Sequence, residues 1–344
     1  MSRRTLAAIV ALALTIAACG PSGTGGSPRP TNGPPGDPTA PFTNLTVGLG
    51  YIPSVQFAPF YFAQQRGYYD DAGLRVTFEN KIDPDLVTLV GQGALDIGVA
   101  DGTSVIPAVS QGIPIRYVAT IYGTFPSIVF AKASSGIKTA ADLAGRKIGI
   151  PGKYGSSWIM LQALLTSVHL TPDDVTVVEY PDYGQGVAVQ QGAVDAATGF
   201  ANNEPVQLER SGSPAVVLHV DDVVALPGPG LIASVTTIGA KQDAVVAFIA
   251  ATLRAMAEIT ADPAKGLDAA IVAVPELAPD RENQAAILAA TIAAWSGRAA
   301  AAGGLGAIDV TGWTDSITLM SGMGLVPNPV TVDGLVRADL LPPR

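Results

Sequence analysis

The sequence predicts an α/β protein of two lobes, each a mostly parallel sheet flanked by helices, meeting at a hinged cleft. Three observations carry this. Strand-like and helix-like runs alternate through the first half and again through the second. One phrase occurs twice, as Gln92-Gly93-Ala94-Leu95-Asp96-Ile97-Gly98-Val99-Ala100 and as Gln191-Gly192-Ala193-Val194-Asp195-Ala196-Ala197-Thr198-Gly199. Each copy reads as a helix end, a Gly stop and a short buried strand with an Asp near its start. Past Gly230 the pattern turns helical, so the tail completes one lobe from the far end of the chain. The chain then crosses between lobes twice, near 122–127 and 219–230. Two crossings make a hinge, and a hinged cleft is the usual home of a small ligand. The expected domains are 45–124 with 225–344, and 125–224.

Leu45-Thr46-Val47-Gly48-Leu49 alternates as a strand and opens into the turn-rich Gly50-Tyr51-Ile52-Pro53-Ser54-Val55-Gln56. A short helix from Phe57 to Arg66 stops at Gly67, and Leu74 to Phe78 is the next strand. Asp83-Pro84 starts a helix, Asp as N-cap and Pro at N1, which delivers the first copy of the phrase. A helix after Thr103 and a strand from Ile115 to Ile121 follow. The second half repeats the order: a strand at 128–131, one helical turn at 140–143, and a strand at 147–150. A helix from Ser156 and a Thr171-Pro172-Asp173-Asp174 cap come next, before a strand at 175–178. A helix through 185–190 leads to the second copy, a helix from Glu204 to Arg210 follows, and Ala215 to Leu218 is the last strand of that half. Leu231 to Thr236 reads as one more strand, and the helical stretches 241–261, 263–273, 280–302 and 312–323 complete the chain. Asp96 and Asp195 are expected to anchor strand starts, and the chemistry is expected a few residues on, at Asp101-Gly102-Thr103 and Asn202-Asn203-Glu204.

The N-terminus reads as an address. Arg3-Arg4 precede an unbroken small and apolar run from Leu6 to Ala18, the pattern of a signal peptide over 1–18. Ala17-Ala18-Cys19 then places the single cysteine of the chain directly after two small residues. This resembles the bacterial lipobox, which implies cleavage before Cys19 and a lipid on its sulfur. Removing Arg3 and Arg4 from a net charge of −9 leaves −11. Residues 19–44, rich in Gly, Pro, Ser and Thr, are expected to form a tether. A flexible chain of that length spans roughly 25–30 Å. The folded part would then hang from the outer face of the cell membrane.

Composition narrows the chemistry. Hydrophobic residues make up 48% and charged residues 14%, enough for a full core. The acidic balance, without a Lys/Arg run, argues against a nucleic-acid partner. One Cys and two His, His169 and His219, cannot build a zinc site of the Cys/His kind, and no G-x-S-x-G elbow accompanies either His. No metal, cofactor or catalytic residue is expected, and the chain is expected to be a monomer.

The segment Ile137-Lys138-Thr139-Ala140-Ala141-Asp142-Leu143-Ala144-Gly145-Arg146-Lys147-Ile148-Gly149-Ile150-Pro151-Gly152 resembles the "DLxGkkIGxPG" stretch of solute-binding proteins of ABC importers. Phe60-Tyr61-Phe62-Ala63, Gly67-Tyr68-Tyr69 and Ala72-Gly73-Leu74 are similar to the opening of the group that takes sulfonates, nitrate and thiamine-related pyrimidines. The resemblance covers about residues 45–240 and implies the type II periplasmic-binding fold. It also implies delivery of a ligand to a membrane permease driven by a cytoplasmic ATPase; this chain carries no G-x-x-x-x-G-K-[ST] loop of its own. A pyrimidine-forming enzyme of the same superfamily uses a His in its first loop. Here that loop reads Tyr51-Ile52-Pro53-Ser54-Val55-Gln56-Phe57, which counts against an enzyme.

Ligand-binding residues are expected in the loops that follow the strands: Tyr51, Gln56, Phe57, Asp101, Thr103, Tyr122, Tyr154, Ser156, Trp158, Tyr183, Asn202, Asn203 and Glu204. Aromatic side chains concentrate there in a chain that is only 6% aromatic, which suits a flat heterocycle. Lys153 is the one cation in these loops, and Asp101 and Glu204 would repel an anion. A neutral or weakly cationic aromatic ligand is expected, either riboflavin or a thiamine-precursor pyrimidine. Gly199-Phe200-Ala201-Asn202-Asn203-Glu204-Pro205 resembles the riboflavin binders of the family, so riboflavin is preferred. A sulfonate or nitrate, held at the helix start near Gly155-Ser156-Ser157, is the alternative.

Overall fold

The computed structural model describes residues 42–80, 83–224 and 226–343. The expected signal peptide, Cys19 and nearly all of the tether lie outside them, as do the side chains of the expected Asp83-Pro84 cap. β1 (Thr43–Leu49) opens two residues earlier than expected. α1 (Ala58–Gln65) follows a single 3-10 turn at Val55–Phe57, which the Ser54 hydroxyl caps by accepting from Gln56 N at 3.3 Å. After it come α2 (Tyr68–Asp71), β2 (Leu74–Asn80), α3 (Asp83–Gly91), β3 (Ile97–Ala100), α4 (Gly102–Ser110) and β4 (Ile115–Thr120). The second half supplies β5 (Ser127–Lys132), β6 (Lys147–Ile150), α5 (Gly155–Ser167), β7 (Thr176–Glu179), α6 (Gln185–Gln191), β8 (Ala196–Phe200), α7 (Glu204–Arg210) and β9 (Ala215–His219). β10 (Gly230–Ser234) leads into the helical tail.

The strands form two five-stranded sheets, in the orders β2-β1-β3-β10-β4 and β7-β6-β8-β5-β9. The orders are equivalent place by place. In each, the fourth strand runs against both neighbours, so the sheets are mixed where mostly parallel ones were expected. Topology explains the reversal. Each crossing leaves its sheet at the C-terminal end of a strand, β4 or β9. The first strand laid down afterwards, β5 or β10, therefore enters its sheet from that end and runs back against the others.

Alternation along the strands divides the core into layers. Leu231 and Ala233 of β10 join the cluster that includes Phe60, Tyr69 and Phe248, whereas Ile232 between them joins Trp313 and Tyr117 on the other face. In the second sheet Val129 and Ala131 face α5, and Ile128 and Phe130 face α6 and α7.

The two repeated phrases make one anchor twice. Asp96 exchanges backbone hydrogen bonding with Thr46 through its N–H, and its carboxylate accepts from Thr46 N at 3.0 Å. Asp195 does the same with Lys147, its carboxylate accepting at 2.8 Å. Both pin the start of a middle strand to the neighbouring strand.

The tail consists of α8 (Val235–Ala261), α9 (Pro263–Ala273), α10 (Arg281–Trp295), α11 (Arg298–Gly303), α12 (Val310–Gly322) and α13 (Val332–Leu335). The strand expected through Thr236 ends at Ser234. Its hydroxyl caps α8 by accepting from Thr237 N at 2.9 Å, and this overrides the β-branched run that follows. The helix expected over 280–302 breaks at Ser296-Gly297, where the backbones of Gly297 and Gly123 touch. A Cβ on Gly297 would fall 2.1 Å from Gly123 O, so the break seats the tail against the first crossing. Among the described residues α8 alone is long and apolar enough to cross a membrane, but Val245, Phe248, Ile249, Met256 and Ile259 on it are fully buried in the core.

Candidate functional site

A cavity of about 980 Å³, part of it open to solvent, lies where strand-end loops from both sheets converge. Its walls are mainly aromatic: Tyr51, Phe57, Tyr122, Tyr154, Tyr183 and Phe200 line it, with Val99, Ala100, Pro151 and Pro229. Its polar lining is Gln56, Asp101, Ser156, Ser157, Gln185, Asn203 and Glu204, and no Lys, Arg or His is among the lining residues. Tyr51 comes from the loop after β1 and Tyr183 from the loop before α6. Their rings meet edge to face, centroids 5.2 Å apart, so the two sheets touch through aromatics at the cavity. Tyr183 takes a left-handed backbone conformation, φ 60°, to present its ring there. Such a backbone is rare for a bulky residue and marks sites where local geometry is held by its surroundings.

Each sheet contributes one carboxyl from the loop after its third strand. Asp101, 4% exposed, is the N-cap of α4: its Oδ1 accepts from Thr103 N at 2.9 Å, Thr103 Oγ1 at 2.6 Å and Ser104 N at 3.2 Å. Burial raises its pKa, opposed by those donors and by the Ser156 hydroxyl from the other half. Glu204 stands at the first position of α7, and its Oε2 accepts from Phe200 N at 2.8 Å. Burial pushes its pKa up to about 7, against the backbone N–H groups of Phe200 and Glu204 itself. Gly199 makes room for it, since a Cβ there would lie 2.8 Å from Oε2.

A buried polar bridge joins the halves behind the cavity. Asn202 Nδ2 donates to Gln56 Oε1 at 3.1 Å and to Thr291 Oγ1 of α10 at 2.8 Å, with the Tyr122 hydroxyl at 3.5 Å. The first and second crossings lie side by side here: Ile121 N and Tyr122 N both donate to Pro229 O, at 3.1 and 2.8 Å.

Of the residues expected at the site, the structure brings Tyr51, Gln56, Phe57, Asp101, Tyr122, Tyr154, Ser156, Tyr183, Asn203 and Glu204 together around the cavity. It gives the other three different tasks. Thr103 is 1% exposed and turns its hydroxyl onto Asp101. Trp158 packs on the α5 core of the second sheet with Lys153 Nζ 5.8 Å over its ring, which also takes the expected loop cation away from the cavity. Asn202 spends its amide on the bridge. Both histidines are exposed and away from it; His169 closes α5 at φ 61°. Gln185 was missed. It reads as the first residue of an ordinary helix, yet it is 1% exposed and lines the cavity.

Two α/β sheets of identical order, joined by paired crossings around an aromatic cavity, define a two-lobed solute-binding protein of the periplasmic-binding fold. The sequence profile of the NMT1/THI5 like family matches residues 54–266, and the chain belongs to that family. It is 33% identical over 347 residues to the riboflavin-binding protein RibY of Chloroflexus aurantiacus, covering 99% of each chain. It is 27% identical over 243 residues to a 4-amino-5-hydroxymethyl-2-methylpyrimidine phosphate synthase of Legionella pneumophila, covering 68% of this chain and 75% of that one. Among solved structures it is similar to the alkanesulfonate-binding protein SsuA of Xanthomonas axonopodis pv. citri bound to MOPS, with TM-score 0.67 and 19% identity over 87% of this chain and 100% of the other. The Escherichia coli periplasmic aliphatic sulphonate binding protein SsuA is similar to the same degree, TM-score 0.67 at 16% identity over 86% and 98%. At these identities the structural likeness speaks to the fold.

Proposed function

We propose that this chain is the extracytoplasmic riboflavin-binding component of an ABC importer, closing its two lobes, 45–124 with 225–344 and 125–224, on the flavin and handing it to the permease. The observation that carries this is the cavity wall: six aromatic side chains beside one buried and one half-buried carboxyl, Asp101 and Glu204, with no cation among the lining residues. A flat, uncharged ring system is what such a wall takes up, stacked on aromatic faces and hydrogen-bonded at its edge. A sulfonate would meet Asp101 and Glu204 without a compensating charge. The full-length similarity to RibY supports the same ligand. The family's pyrimidine synthases set the alternatives, a pyrimidine-precursor ligand or an enzyme; in this chain neither the first loop nor the cavity wall offers the His expected of such an enzyme.

The signal peptide and Cys19 would place the protein on the outer face of the cell membrane through a lipid, as a tethered monomer. Titrating the purified chain into riboflavin, with a thiamine-precursor pyrimidine and an alkanesulfonate as competitors, tests the ligand. Quenching of flavin fluorescence that neither competitor reverses is the expected result. Binding of the sulfonate or the pyrimidine in its place would overturn the reading. Incorporation of labelled palmitate that is lost in Cys19→Ser tests the anchor.

A further inference from the structure

We propose that Gln185 is a specificity-determining residue of the cavity, its side-chain oxygen accepting a hydrogen bond from an N–H on the edge of the ligand's ring. The inference rests on the reading of the ligand as a flavin, and it names the group of that flavin which is selected. Gln185 opens α6, lines the cavity and is 1% exposed. Its Nε2 donates to Thr198 O at 3.3 Å, which fixes the sense of the amide: turned over, the side chain would set two acceptor oxygens against each other. Oε1 is then the other end of the amide, and it has no hydrogen-bond partner in the protein. A buried amide oxygen left without a donor is costly, and native structures rarely keep one without a purpose.

What stands beside it decides which ligand group would satisfy it. A Cβ at Gly186 would lie 3.3 Å from Glu204 Cγ, so the start of α6, where Gln185 stands, runs beside Glu204, and both residues line the cavity. Both present acceptors, and no lining residue supplies a Lys, Arg or His donor in between. The complement of this corner is a hydrogen-bond donor held in the plane of a flat ring. In the flavin ring system that group is the imide N3–H. Replacing its proton with a methyl group removes the donor and leaves the ring otherwise intact.

The test is a two-by-two comparison: riboflavin and N3-methylriboflavin, each titrated into the native chain and into Gln185→Met, which keeps the side-chain length and removes the acceptor. The native chain is expected to prefer riboflavin by about tenfold or more. In Gln185→Met riboflavin binding falls by a similar factor, the methyl analogue binds within about twofold of native, and the preference collapses. Equal binding of the two flavins by the native chain overturns the inference, as does a preference that persists in the variant. In either of those cases the riboflavin reading stands. Failure of the native chain to bind either flavin overturns that reading, and this one with it. If Gln185→Met lacks the native melting transition, Gln185→Leu takes its place, and the native chain's response to the two ligands still decides.

Discussion

The two sheets are built to one plan, and the ends of their third strands show where the plan stops. β3 runs into Asp101 and β8 into the Asn202-Asn203-Glu204 turn, each at the start of a helix that faces the cavity. In the first sheet the carboxyl is consumed by the fold: three donors within two neighbouring residues surround a single Asp101 oxygen. In the second the cap is loose. Asn203 makes no side-chain hydrogen bond to the backbone of α7, and the donors to Glu204 are the backbone N–H groups of Phe200 and Glu204 itself and the Asn203 side chain. Equivalent positions have thus divided the work. One loop is a fixed wall of the cavity, and the other keeps a polar group whose state its surroundings can change.

Stability measurements can break that comparison. Asp101→Ala strips three donors of a buried acceptor and is expected to cost about 2–3 kcal/mol in urea unfolding of the ligand-free protein. Asn203→Ala loses an acceptor for Gln207 Nε2, 2.7 Å away, and a side-chain donor to Glu204, neither of them a cap on the backbone of α7, and is expected to cost less than about 1 kcal/mol. Equal costs would mean that the two loops are equally committed to the fold.

The pH dependence of melting sharpens the comparison next. The pKa of Glu204 in the folded protein, about 7, lies above its ordinary 4.5. A group shifted upward stabilises the fold fully below the unfolded value, and that contribution is lost as pH rises through the folded one. Between about pH 4.5 and 7, Glu204 should therefore make the ligand-free protein less stable as pH increases. Glu204→Gln should remove that component, so that it melts about 2–5 °C higher than native above pH 7 and shows no advantage near pH 4.5. Parallel melting curves across this range would place the pH response elsewhere.

Much of the scaffold was legible because local chemistry and global topology agree in it. The repeated phrases gave β3 and β8 with their anchoring Asp96 and Asp195, since a Gly stop before a short apolar run has few other uses in an α/β chain. The direction of β5 and β10 was not legible, because an apolar strand reads the same both ways and only the crossings decide it. At the site, loop position found the wall residues but not side-chain direction. Trp158 sits at the right place in the chain, but the turn of α5 carries its ring to the core. Gln185 was hidden for the opposite reason. A polar residue in the first turn of a helix is ordinarily solvent-facing, and only the tertiary structure shows this one buried with an acceptor to spare.

The smallest difference between the halves is at the anchors themselves, and it has a definite sign. Asp96 has an exposed fraction of 18% and lies 2.8 Å from Lys241 Nζ, which also donates to Asn44 O at 3.0 Å. Asp195, at 39%, has Arg146 Nη1 at 3.7 Å. An ion pair sheltered from water and held by a second hydrogen bond contributes more than one in solvent, where side-chain entropy and screening consume the Coulomb gain. Lys241 also occupies the one non-helical position inside α8, so this pair fixes the kink where the tail joins the first sheet. Substituting Asn keeps an oxygen for the strand N–H and removes only the charge. Asp96→Asn is therefore expected to cost about 1 kcal/mol and Asp195→Asn about 0–0.5 kcal/mol in urea unfolding at low salt. Adding salt should narrow the Asp195 effect first. An Asp195 cost equal to that of Asp96 would show that the strand N–H bond, common to both halves, carries the anchor and that the charge partners are incidental.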